Sequence, residues 1–66
     1  MIKSNVREVM EKAGFSVRKL VAVTGLALGT VDRARGDLVV KCSLETLQTI
    51  ARACGCQVKD LFTEDN

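Results

Sequence analysis

The chain has no histidine, proline, tryptophan or tyrosine, and its only aromatic side chains are Phe15 and Phe62. Without histidine it lacks the commonest general base and the commonest metal ligand. It also has no nucleophile beside a base and no glycine-rich phosphate loop, so no enzyme is expected. Ser4, Ser16 and Ser43 stand where helix caps belong. Glu8 and Glu11 are placed to partner Arg7 and Lys12 rather than to form an acid–base pair. No apolar run could span a membrane, and no secretory leader is recognisable. Repeats, linkers and low-complexity segments are absent as well.

Cysteine is sparse and odd in number: Cys42, Cys54 and Cys56. With no leader, this usage points to free thiols in a reducing, cytoplasmic setting. Cys54-Gly55-Cys56 has one intervening residue, not the two of zinc and redox motifs, and no second ligand pair accompanies it. No metal or other cofactor is therefore expected, and so small a chain has little volume for a small-molecule ligand. Cys54 is expected to be a buried, small apolar residue at a helix end, and Cys42 the more reactive thiol.

What remains is a chain rich in Leu, Val and Ala. Its 66 residues suit a single domain over 1–66. A domain of this size buries only about 60% of its unfolded surface, so helices must pack well or two chains must associate. The net charge of +2 is unevenly spread. Residues 1–41 carry eight basic and four acidic side chains, while residues 42–66 carry two basic and four acidic ones. The first part could face a polyanion while the second faces away.

Apolar spacing predicts a helix over 4–13, with Val6, Val9, Met10 and Ala13 on one side and Gly14 just after its end. Further helices are predicted over 17–23 and 28–35. Ser16 caps the first of these, which runs through Leu20, Val21 and Val23. Thr24-Gly25-Leu26 makes the turn between them, with Gly25 in a conformation that costs little only without a Cβ. The second carries Leu28, Val31 and Ala34 inward and leaves Thr30, Arg33 and Arg35 outside. Residues 37–42 are expected to be an extended loop that tucks Leu38 or Val40 onto the core. Ser43 caps a helix over 44–54 whose apolar face holds Leu44, Leu47, Ile50, Ala51 and Cys54. A short last helix over 58–62 packs Val58, Leu61 and Phe62 back, and residues 63–66 form an acidic, frayed tail.

A short helix, a glycine turn and a second helix ending in arginines form the arrangement that seats a helix in a DNA major groove. Taken with VREVMEKAGFSVRKLV, TGLALGTVDRARG and SLETLQTIARACGCQVKDLF, the chain resembles the Cro and repressor family of phage and bacterial helix-turn-helix proteins. The resemblance covers nearly the whole chain. It implies an all-α, compact, lambda-repressor-like bundle of five helices that binds double-stranded DNA as a homodimer.

Carried across by position, the resemblance sets Leu28, Gly29, Thr30, Asp32 and Arg33 toward base edges. Ser16, Val17 and Arg18 fall at a phosphate-contacting helix start, and Lys41 in a phosphate-contacting loop. The chain departs from the family pattern at several of these sites. Val17 stands where glutamine is frequent, and Ala27 where Ser or Thr usually caps the recognition helix. Leu28 and Gly29 replace long polar residues. Met10 and Arg35 replace a frequent base–acid pair. These departures leave open an alternative on the same fold: a protein-interaction module or anti-repressor with weak or lost base readout.

Overall fold

The computed structural model describes residues 1–64. Four α-helices are present among them: α1 (Val6–Ala13), α2 (Val17–Thr24), α3 (Leu28–Ala34) and α4 (Leu44–Cys54). Two 3-10 turns, Asp37–Lys41 and Val58–Leu61, occupy the remaining predicted segments. Strands β1 (Ile2–Ser4) and β2 (Phe62–Glu64) form a two-stranded antiparallel sheet. The mostly helical architecture is as expected, but the expected five α-helices are four.

Local chemistry accounts for the helix ends. The Ser16 hydroxyl accepts the Lys19 N–H at 3.1 Å and the Ser43 hydroxyl accepts that of Thr46 at 3.1 Å. Both satisfy amide donors that an α-helix leaves without a partner in its first turn. Gly14, Gly25 and Gly55 close α1, α2 and α4 with φ of 78°, 75° and 74°. That left-handed region is strained for residues that carry a Cβ. Ala27 stands at the cap position of α3 and gives it no side-chain hydrogen bond.

The core draws on every helix. Val6, Leu20, Val31, Ile50 and Leu61 are its large, fully enclosed side chains. Leu20 from α2 and Val31 from α3 hold the two helices of the turn against one centre. Each fully buried Leu, Ile or Val contributes about 1.5–3 kcal/mol relative to exposure.

Several expectations are corrected. The first helix begins at Val6, not at residue 4, because Ile2–Ser4 pair with Phe62–Glu64 in the register Ile2 to Glu64 and Ser4 to Phe62. That pairing also moves Phe62 out of the last helix and turns the start of the expected frayed tail into strand. Asp65 and Asn66, its last two residues, lie outside the described ones. Residues 37–41 coil into a 3-10 turn, whose period of three directs Val39 inward and leaves Leu38 and Val40 about half exposed. Leu44 is exposed rather than on the core-facing side of its helix, and Val23 is exposed as well. Cys54 is half-buried rather than buried, packed at the edge of the core.

Candidate nucleic-acid interface

The turn between α2 and α3 is fixed by Thr24. Its hydroxyl donates to the Leu20 carbonyl at 2.7 Å and accepts the Leu26 N–H at 3.2 Å. Gly25 N–H reaches the Val21 carbonyl at 2.9 Å, closing the end of α2. One side chain thus satisfies a group on each side of the glycine, which sets the angle at which α3 leaves.

Val31 and Ala34 anchor α3 and are fully buried. The opposite side of the helix is wet. Leu28 is 55% exposed, and Gly29, Asp32 and Arg33 are exposed too. Leu28 therefore does not turn inward with Val31 and Ala34. Thr30 is half-buried at the margin. Residues four apart lie one above the other on a helix, so Leu28 and Asp32 form one ridge and Gly29 and Arg33 the next.

Arg33 lies back along its own helix. Its Nε donates to the Gly29 carbonyl and its Nη2 to the Thr30 hydroxyl, both at 3.3 Å. Two of its five N–H donors have partners within the chain, and the outer edge of the guanidinium stays free. Asp32 pairs with Arg35 at 3.7 Å, and the Asp32 side chain remains 60% exposed. Such a pair is worth little in water, so Asp32 stays available to an outside donor.

Arg35 is not outward-facing as the spacing predicts. It is half-buried, and its Nε is enclosed with no acceptor among the described residues. Ser4, expected only as a helix cap, lies one residue before the α1 cap position, which Asn5 occupies, and positions α3 as well. Its hydroxyl donates to the carbonyl of Ala34 and accepts the Val6 N–H at 3.2 Å. It ties the last residue of α3 to β1, and only the tertiary fold brings the two together.

The remaining site residues flank α3. Ser16 is exposed at the start of α2, and its hydroxyl is occupied by capping. Arg18 and Lys19 are exposed, and the Lys19 ammonium sits 5.5 Å from the centre of the Phe15 ring. Val17 is half-buried and packs against the core. Lys41 is exposed at the end of the first 3-10 turn, which packs against α3. The first turns of α2 and α3 hold no acidic side chain, so nothing there offsets the positive end of either helix dipole. No group of acidic, histidine or cysteine side chains among the described residues could hold a metal ion. No helix among them is long and apolar enough to cross a membrane.

Comparison with curated proteins and with solved structures returned no match. Comparison with protein families returned a model for the Cro/C1-type HTH DNA-binding domain, matching residues 5–64 and so spanning every helix described above. The chain belongs to the Cro/C1-type helix-turn-helix DNA-binding domain family.

Proposed function

We propose that residues 1–66 act as a single-domain, sequence-specific regulator of transcription, a repressor of phage or bacterial type working in the cytoplasm. It binds double-stranded DNA as a homodimer, with α3 in the major groove. The observation that carries this reading is the exposed outer side of α3, where Leu28, Gly29, Asp32 and Arg33 face water while Val31 and Ala34 hold the helix to the core. Arg33 is suited to the O6 and N7 acceptors of a guanine, and Thr30 to a base edge. Ser16, Arg18, Lys19 and Lys41 surround this side with phosphate-seeking groups. Val17, half-buried, contributes only its backbone there.

The homodimer follows from size. A helix of seven residues is about 10 Å long, the span of about three base pairs. Two copies on two half-sites double the readout, and half-sites in such complexes are spaced by about one helical turn. No catalysis, cofactor or small-molecule ligand enters this reading.

A second reading has an observation of its own. Val40 and Leu44, both exposed, line a shallow apolar groove of about 240 Å³ together with Ile2 and Phe62. Exposed apolar clusters of this kind favour protein partners, which suits an interaction module or anti-repressor.

The salt dependence of binding to a random-sequence duplex separates the two. Phosphate contacts release counterions, so a DNA-binding protein loses affinity steeply as salt rises. Absence of any salt-dependent binding, to random duplex or to duplexes enriched by selection, would leave the interaction module as the function.

A further inference from the structure

The start of α3 departs from good helix design at three consecutive positions. Ala27 gives no cap, Leu28 puts a large apolar side chain 55% into water, and Gly29 is a glycine within a helix. Gly29 is the informative one. Its φ is not positive, and a Cβ built on it meets nothing within 4 Å. Neither backbone conformation nor crowding inside the chain calls for glycine there. Glycine is also the usual choice where an outside molecule must come close to the backbone. Breaches of local design rules concentrate at functional sites.

The two neighbouring side chains define what could come close. Leu28 offers aliphatic carbon and no hydrogen-bonding group. Arg33 lies one turn along the bare ridge, held toward it by its bond to the Gly29 carbonyl. In the major groove, the apolar feature of a base pair is the methyl group at C5 of thymine. A polar base edge at Leu28 would lose water without gaining a partner, whereas a methyl group loses nothing.

We infer that Leu28 reads the C5-methyl group of a pyrimidine, and that bare Gly29 lets that base edge approach the helix. The inference rests on the DNA-binding reading above and adds the chemistry of one base position. Thymine supplies the methyl group in unmodified DNA, and 5-methylcytosine would supply the same group.

The test uses the full chain and a duplex enriched from a random pool. Each thymine is replaced singly by deoxyuridine, which removes the methyl group and keeps the pairing. At one position per half-site, the loss of the methyl group should weaken wild-type binding about fourfold, the equivalent of one buried methylene-sized group. Leu28→Ala and Leu28→Gln should show less than a twofold effect there. Both variants change an exposed residue, and circular dichroism checks that they fold. Placing cytosine at that position should weaken wild-type binding, and 5-methylcytosine should restore part of the loss.

Gly29→Ala adds an independent readout. It should raise the melting temperature of the free protein by about 2–8 °C, since alanine is the better helix former. The same variant should bind the selected duplex more weakly. Equal sensitivity to deoxyuridine in wild type and both Leu28 variants, or no sensitive position at all, would overturn the assignment while leaving DNA binding intact. A chain that binds no duplex would overturn the DNA-binding reading itself, and Leu28 would then belong to a protein contact.

Discussion

The hydroxyl of Ser4 donates to the carbonyl of Ala34, thirty residues further along the chain and the last residue of α3. The same oxygen accepts the Val6 N–H at the start of α1. Ser4→Ala removes a partner from each of these part-buried groups. The expected cost is about 1–2 kcal/mol, seen as a lower denaturant midpoint with an unchanged slope. An unchanged midpoint would mean that water replaces the hydroxyl at both groups.

Arg33→Ala should lower affinity for a selected site and relax preference at one base position. An arginine paired with guanine through two hydrogen bonds contributes about 1–3 kcal/mol of discrimination. Arg33 is already held at Gly29 and Thr30, so less of its freedom is lost on docking. Repeating the site selection with the variant checks this. An identical preferred sequence would take Arg33 out of base recognition.

Lys41 stands on the turn that follows α3. As a compact point charge it suits a phosphate and carries no base information. Lys41→Ala should weaken selected and random duplexes by the same factor. It should also reduce the slope of log affinity against log salt by about 1. If the two slopes coincide, Lys41 lies away from the DNA backbone.

Burial, and then the neighbouring Cys56, push the Cys54 thiol above its ordinary range. Burial and Asp60 do the same to Cys56. The folded chain therefore holds these protons more tightly than the unfolded one. Stability from this source is complete below the ordinary thiol range and is lost as pH rises beyond it through the raised values of the folded chain. Alkylation of both residues should be slower in the native protein than in denaturant, because the thiolate is the reactive form. Peptide mass spectrometry after timed alkylation resolves each site. Equal native and denatured rates at Cys54 would show that the packing around it gives no protection.

What could be read from sequence was the local part of the structure. Ser16, Ser43, Gly14, Gly25 and Gly55 act within one turn of their own position, so their roles follow from residue type and spacing. Val31 and Ala34 follow from the helical period. The β1–β2 pairing was not legible, because Ile2–Ser4 and Phe62–Glu64 are three-residue segments whose partners lie at opposite ends of the sequence. Val39 was missed for a different reason: an extended segment alternates its sides, whereas a 3-10 turn shows a side every third residue. At the candidate interface, the exposure of Arg33 followed from the period and that of Gly29 and Asp32 from the family resemblance, whereas the period turned Leu28 inward. The burial of Arg35 and the bonds of Arg33 to its own helix followed from neither. Both depend on how a long, flexible side chain settles once the surface around it exists.

The strand pair also has a meaning in time. Joining Ile2 to Glu64 closes a loop of almost the whole chain, and so large a loop is entropically costly to close before the helices have shortened it. The sheet is therefore expected to form late, after the α2–α3 turn, which requires contacts only between near neighbours. Substitutions in either strand should then raise the unfolding rate and leave the folding rate almost unchanged. The bond of Ser4 to the Ala34 carbonyl then comes late as well, and adds to a hold on α3 that core packing has already established.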